Sequence, residues 1–177
     1  QRELSYANGF DDSVICNYME ENEKNFDAIL VADYGHGMLG HTFAGYSCKY
    51  QEKLAVNVQS NAGNRGFNFI SKYPYAKFIS LAEHELRLEM RDNTTSAEEL
   101  LASLSKRFGN WPFICLTAGK NGIHVLSAND ASTVHCPAFA SRVVDRVGAG
   151  DAVFSVSSLL AIAGASPDCI AFMGNIA

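Results

Sequence analysis

The chain of 177 residues has 47% hydrophobic and 19% charged residues, which is the composition of a globular, soluble protein. Its formal net charge of −5 argues against a general nucleic-acid binder, which would carry a basic stripe. No apolar run is long enough to span a bilayer and no signal peptide is visible, so we expect a cytoplasmic protein that contacts neither nucleic acid nor membrane.

The first third of the chain predicts a helix and then a strand. Apolar residues recur at helical spacing after Asp12 and Ser13, and either side chain can cap that helix. The apolar run at 28–32 ends in Asp33, which is typical of a strand buried on both faces of a parallel sheet.

The alternation of helix and strand continues to the end of the chain. Ser96 and Glu99 form a capping box before a clear helix that Gly109 ends. The other predicted elements, in chain order, are a helix at 40–51, strands at 53–60 and 76–81, a helix at 82–91, a strand at 111–119, a hairpin formed by 122–128 and 131–138, and helices at 149–164 and from Pro167 onwards.

This order of elements predicts an α/β protein with a mostly parallel sheet, in one domain over residues 1–177. In such sheets the ligand binds at the carboxyl ends of the strands. Glycines, acids and amides collect there, at 33–35, 59–61 and Gly119. Five scattered cysteines without a C-x-x-C pair predict neither a disulfide framework nor a zinc site.

The stretch "DRVGAGDAVF" places Gly148, Ala149 and Gly150 at the N-terminus of an apolar helix. The first N–H groups of a helix lack internal partners and lie at the positive end of its dipole. Glycines let a ligand approach the backbone closely, so this turn predicts an anion hole suited to phosphate.

Asp151 follows that turn directly. An acid in a first helical turn is common, and alone it would need no function. Beside an anion hole, however, a spectator carboxylate would repel the phosphate. A carboxylate that accepts the proton of an attacking hydroxyl fits better, which indicates phosphoryl transfer to an alcohol.

The same stretch resembles the signature D-T-x-G-A-G-D of the ribokinase-like (PfkB) carbohydrate kinases, with Arg146 in place of the threonine. The resemblance implies a three-layer α/β/α fold of which this chain is the C-terminal part, without the N-terminal sugar-binding and lid region. It implies ATP and Mg²⁺ as cofactors, with a sugar or sugar phosphate as the acceptor. Asp151 would then be the catalytic base, and the amides of Gly148, Ala149 and Gly150 the anion hole.

Other segments extend the resemblance to the nucleotide site. "LTAGKNG" is similar to the family's L-T-x-G-x-x-G loop, which implies that Thr117, Gly119 and Gly122 contact ATP. Lys120 lies between these glycines and either contacts phosphate or faces solvent. By the same resemblance Asp145 belongs to the cofactor-binding residues, and Asn175 lies beside the adenine pocket.

The heptose-kinase branch of the family supplies the closest motifs. "VADYGHGML" is similar to its D-Y-G-K-G segment, and Glu85 matches the acid of P-N-x-x-E, which acts through water on magnesium. Ala82 replaces the asparagine of that motif, while Asn57 and Gln59 replace the acid and the lysine of V-D-P-K-G. A fused nucleotidyltransferase domain and a homodimer are both compatible with this branch.

Several residues keep two interpretations. Asp33 is either a turn acid or a group near the transfer site, and Arg146 either attracts anions or points to solvent. We expect Arg65 to be solvated and Trp111 to pack. Asn61, Asn64 and Asn68 are interpreted as turn formers.

These interpretations lead to two alternative functions. The first is an ATP-dependent sugar kinase. The alternative, motivated by Ala82, Asn57 and Gln59, is a non-catalytic nucleotide-binding or regulatory module of a larger nucleotidyltransferase protein. A P-loop enzyme is disfavoured because G-x-x-x-x-G-K-[ST] is absent. A Rossmann dehydrogenase is disfavoured because the G-x-G at Gly148 comes late in the chain, without the downstream strand and acid of that pattern.

Overall fold

A computed structural model describes residues 10–108, 110–139 and 148–177. The helices are α1 (Ser13–Asn22), α2 (His41–Ser47), α3 (Glu83–Met90), α4 (Ala97–Phe108), α5 (Ala149–Ile162) and α6 (Pro167–Ile176). The strands are β1 (Ile29–Asp33), β2 (Leu54–Val58), β3 (Phe78–Ala82), β4 (Phe113–Thr117), β5 (Ile123–Ser127) and β6 (Ser132–Cys136). Within these ranges no helix combines the length and the apolar character that crossing a membrane requires.

The strands form one sheet in the order β1-β2-β3-β4-β5-β6. Strands β1 to β4 are parallel, while β5 pairs antiparallel with both β4 and β6. The predicted α/β alternation and the predicted hairpin are both confirmed. The parallel order brings the carboxyl ends of β1, β2, β3 and β4 to one edge, called here the carboxyl edge.

The sheet has a helix layer on each face. On one face, Val56, Ile79 and Ile114 pack against α1 to α4. On the other face, Phe78 and Cys115 pack against Phe154 of α5 and the buried residues of α6. Trp111 belongs to the first core as expected, and its indole N–H donates to the Tyr73 carbonyl at 2.9 Å.

Strand β1 differs from the expectation of burial on both faces. Val31 and Asp33 are buried, but Leu30 is 39% exposed and Ala32 is also exposed. The reason is that α5 packs over β2 and β3 and leaves the corresponding face of β1 uncovered among the described residues.

The capping of α1 also differs from the expectation. The Asp12 side chain does not cap α1. Instead its buried carboxylate accepts the N–H groups of Gly40 and Phe43 at 3.0 and 2.8 Å, and so caps α2. The Ser96 cap of α4 is confirmed by the bond from Glu99 N–H at 3.3 Å, whereas Gly109 lies outside the described residues.

Candidate active site at the carboxyl edge

Asp151 lies in the first turn of α5, where its half-buried carboxylate meets the loops that follow β1 and β2. The Gln59 side-chain amide donates to Asp151 Oδ1 at 2.9 Å. The Tyr34 hydroxyl lies 3.4 Å from Oδ1 and 3.3 Å from Oδ2. The carboxylate is therefore held at the carboxyl edge rather than turned into either core.

The backbone before Asp151 has the form of an anion-binding turn. Gly148 has φ +84°, a left-handed conformation that favours glycine, and its carbonyl accepts the N–H of Ala152 at 2.9 Å. The N–H groups of Ala149, Gly150 and Asp151 lie in the first turn of the helix, where no acceptor exists within the helix itself. Asp145 and Arg146 lie outside the described residues.

Nothing in the described part of the chain requires a glycine at position 150. A Cβ placed on Gly150 would meet no described atom within 4 Å, and its φ is not in the left-handed region. Open space beside a backbone at a helix N-terminus suits the close approach of an anionic ligand.

Glu85 is engaged by backbone groups. Its Oε2 accepts the Ala82 N–H at 2.7 Å and caps α3, while its Oε1 accepts the Ser60 N–H at 2.8 Å. Glu85 thus fixes the loop after β2 immediately beside Gln59. Because each carboxylate oxygen can accept a second hydrogen bond, Glu85 retains capacity for a water on magnesium.

Five of the six residues predicted to contact nucleotide are described, and four of them lie together at the end of β4 and in the turn that follows it. Thr117 ends β4, Gly119 begins a single 3-10 turn, and Lys120 is exposed. Gly122 has φ +85°, and a Cβ there would lie 2.1 Å from the Cys136 carbonyl oxygen. The glycine at 122 is therefore required by the chain's own packing.

Asn175, near the end of α6, contacts the same segment. Its side-chain amide donates to the Pro137 carbonyl and lies 3.3 Å from Cys136 Sγ. Gly122 and Asn175 thus both lie against the segment 136–138. The structure brings these two predicted residues together around a chain segment that the sequence did not single out.

Asp33 is a structural group. It is only 3% exposed, and its carboxylate accepts hydrogen bonds from Lys72, from the Tyr73 hydroxyl at 2.8 Å and from the Gly35 N–H at 2.8 Å. Burial and the Asp33 charge raise the pKa of the Tyr73 phenol. Of the two interpretations of Asp33, these contacts favour the structural one.

Sequence analysis missed the two partners of Asp151. Gln59 and Tyr34 follow parallel strands at their carboxyl ends, which predicts that they lie near a ligand but not that they contact Asp151. Burial, followed by the Asp151 charge, raises the pKa of the Tyr34 phenol, so Tyr34 remains a hydrogen-bond donor at neutral pH.

Among the described residues, no group of three or more histidine, cysteine or acidic side chains could hold a metal ion. Magnesium in phosphoryl-transfer sites is commonly bound through one or two carboxylates together with substrate phosphates. The Glu85 carboxylate, which was predicted to act on magnesium, is of that ligand type and fits a Mg²⁺ ion bound together with substrate phosphates.

Comparison with known proteins identifies relatives of this chain. The model of the pfkB family carbohydrate kinases matches residues 47–175. The bifunctional protein HldE of Citrifermentans bemidjiense is 26% identical over 165 residues, which cover 92% of this chain and 33% of the relative. The HldE of Koribacter versatilis is 29% identical over 153 residues, which cover 85% of this chain and 30% of the relative. The chain thus spans about a third of the length of these curated relatives.

Solved structures share the fold. Escherichia coli phosphofructokinase-2 in complex with potassium superposes with a TM-score of 0.71 at 13% identity, covering 90% of this chain and 53% of that one. Arabidopsis thaliana ribokinase complexed with ribose and ATP gives 0.66 at 17% identity, covering 87% and 49%. At these identities the likeness establishes the ribokinase-like α/β fold, of which this chain represents about half.

Proposed function

The chain belongs to the pfkB family of carbohydrate kinases, and from this premise we propose that it carries out ATP-dependent phosphoryl transfer to a hydroxyl of a sugar or sugar phosphate. We propose further that residues 1–177 are one partial domain of a longer kinase, fused to a nucleotidyltransferase domain. The likeness of "VADYGHGML" to the heptose-kinase branch favours a heptose-phosphate-like acceptor.

One observation carries this proposal: the Asp151 carboxylate stands at the tip of α5 beside first-turn amides that have no acceptor within the helix. In the reaction, Asp151 accepts the proton of the attacking hydroxyl. The N–H groups around Gly148, Ala149 and Gly150 stabilise the charge that develops on the transferring phosphoryl oxygens.

The remaining predicted residues bind the nucleotide in this proposal. Its contacts are Thr117, Gly119, Lys120, Gly122, Asp145 and Asn175. Glu85 would hold Mg²⁺ through a water molecule, and the metal would supply neutralisation of the phosphate charge. The Glu85 contacts to backbone amides support this role because they fix the carboxylate beside the loop that carries Gln59.

Asp151→Asn tests the assignment of the base. The amide keeps the size of the carboxylate but cannot take the proton, so kcat falls by about 10²–10⁴ while ATP-Mg binding is retained. Turnover is measured as ADP release by the longest natural polypeptide that contains this chain, and ATP binding by calorimetry. Asp168→Asn is the matched control, because Asp168 also lies in the first turn of a helix and is exposed. Near-normal turnover in Asp151→Asn would remove Asp151 from the mechanism.

The alternative is a non-catalytic nucleotide-binding or regulatory module. It is favoured by Ala82, Asn57 and Gln59, which replace the asparagine, the acid and the lysine of the family motifs. Calorimetric titration with ATP-Mg, followed by ADP release across a panel of sugars and sugar phosphates, separates the two functions. Binding without turnover by the longer polypeptide supports the module, and turnover with any acceptor excludes it.

A further inference from the structure

The two oxygens of the Asp151 carboxylate are held unequally. Oδ1 accepts the Gln59 amide at 2.9 Å, which is the usual length for such a bond. Oδ2 meets only the Tyr34 hydroxyl among the described groups, at 3.3 Å, which is long for a hydroxyl donor. Oδ1 is therefore anchored, and Oδ2 is the oxygen free to take a new partner.

Gln59 and Tyr34 project from backbone that is itself tied together. The Gln59 N–H donates to the Asp33 carbonyl at 2.9 Å. The Asn64 side-chain amide donates to the Tyr34 carbonyl at 2.8 Å and lies 3.4 Å from the Gln59 carbonyl. Asn68 likewise reaches the carbonyls of Asp33 and Gln59, at 3.1 and 3.3 Å.

We call Asn64 and Asn68 the asparagine clamp. Their side chains are 5% and 9% exposed, so these hydrogen bonds form out of contact with most of the solvent. Gly35 makes room for them, because a Cβ at position 35 would lie 2.0 Å from Asn64 Nδ2 and 2.8 Å from Asn68 Nδ2. Residues that the sequence indicates as turn formers thus join the loops after β1 and β2.

We propose that Gln59, fixed in place by the asparagine clamp, is a positioning residue that anchors Asp151 Oδ1 and so presents Oδ2 to the acceptor hydroxyl. This inference rests on the proposed function. The hydroxyl O–H bond breaks and its proton passes to Oδ2, while the hydroxyl oxygen bonds to the γ-phosphorus. The bond from that phosphorus to the bridging oxygen breaks, and its electron pair leaves with ADP.

Tyr34 complements the Gln59 anchor because it binds the carboxylate only weakly. Its long bonds to both carboxylate oxygens are weak, so a substrate hydroxyl can displace the phenol from Oδ2 without disturbing the anchor on Oδ1. Gln59, as a neutral amide, fixes the orientation of the carboxylate without adding charge to the site. Gln59 therefore holds the carboxylate in place, while Tyr34 leaves Oδ2 accessible to the substrate hydroxyl.

Gln59→Met tests the anchor, because methionine has a similar length but cannot donate. We expect kcat to fall by about 10- to 100-fold, the scale of a small misplacement of a catalytic group, while KM for ATP changes less than about twofold. Gln51→Met is the matched control, since Gln51 is exposed and lies in the turn before β2, at the opposite end of that strand from Gln59.

Crystal structures of the longer polypeptide, unaltered and with Gln59→Met, give a readout that does not depend on activity. The Asp151 carboxylate should rotate away from its position in the unaltered chain when the donor at 59 is lost. An unchanged carboxylate orientation, or an unchanged kcat in Gln59→Met, overturns the positioning role. Failure of the unaltered polypeptide to phosphorylate any acceptor would instead count against the proposed function, and the crystallographic comparison would still decide the role of Gln59.

Discussion

The two sides of the carboxyl edge are held together in different ways. On the side proposed for the acceptor, called here the acceptor side and formed by the loops after β1 and β2 with Asp151, buried amide side chains hold backbone carbonyls. On the side proposed for the nucleotide, called here the nucleotide side and formed by residues 117–122, 136–138 and Asn175, the backbone at Gly122 packs closely against the backbone of 136–138. The acceptor side is a network of side chains around a carboxylate, whereas the nucleotide side is a close packing of main chain.

The two sides also differ in whether the packing of the chain explains a glycine that matches a family motif. Gly122 matches a family motif, yet contact with the Cys136 carbonyl already explains it. Gly150 matches a family motif as well, but no described atom lies near the position of its missing side chain. Open space beside Gly150 permits a ligand to approach the backbone, but open space alone does not indicate a site, because Gly45 in α2 has it as well.

The largest expected effect is on the nucleotide side. Gly122→Ala places a Cβ against the Cys136 carbonyl at a left-handed φ, so we expect the free energy of unfolding to fall by about 3 kcal/mol. Gly119→Ala is the control, since φ is +55° there but no described atom lies within 4 Å of a Cβ. It should cost only about 1–2 kcal/mol.

Chemical denaturation of both variants measures the difference. Equal losses in the two variants would mean that backbone conformation alone requires glycine at position 122. The contact with residues 136–138 would then not distinguish the nucleotide side.

The expected effect of Gly150→Ala on stability is smaller than that of Gly122→Ala and opposite in sign. Alanine is a better helix former than glycine by up to about 1 kcal/mol, so stability is unchanged or raised. Turnover should nevertheless fall by about tenfold or more, because displacing one preorganised donor commonly costs about 10²–10³ in kcat. Gly45→Ala is the control, a helical glycine in α2 whose added Cβ also meets no described atom within 4 Å. Normal turnover in Gly150→Ala would show that no ligand approaches this turn closely.

Sequence patterns predicted most of the helices and strands because the information for them is local. Apolar periodicity is enough to place α4, and an apolar run bounded by glycine is enough to place β4. The exposure of Leu30 depends instead on where α5 packs, and the capping of α2 by Asp12 joins residues 28 and 31 positions apart in the sequence. Neither can be derived from a local pattern.

The candidate site divides in the same way. Asp151 and its turn are contiguous in sequence, so their chemistry could be predicted from a short stretch. The bond between Gln59 and Asp151 joins residues 92 positions apart, and it depends on the exact course of the loop after β2. A carboxyl-edge position predicts that Gln59 is near the ligand, but not which side chain it contacts.

The smallest expected effect is a pH dependence that belongs to the nucleotide side. The His124 ring stacks on His135 with centroids 4.4 Å apart, and His135 Nε2 lies 2.7 Å from the carbonyl oxygen of Asn121, within the loop at 117–122. Burial and the neighbouring His135 lower the pKa of His124, against the opposing charges of Glu98 on α4 and Glu83 on α3.

A lowered pKa in the folded state means that the unfolded chain binds protons more readily as the pH falls below 6.5, the ordinary value for histidine. The free energy of unfolding should therefore decrease between pH 7.5 and pH 5.5, as measured by urea denaturation across that range. His124→Gln should flatten this dependence, whereas His41→Gln, which alters an exposed histidine, should not. Parallel pH profiles for the two variants would show that the stacked pair does not set the acid sensitivity. The pH dependence of the free energy of unfolding could then not be assigned to the nucleotide side.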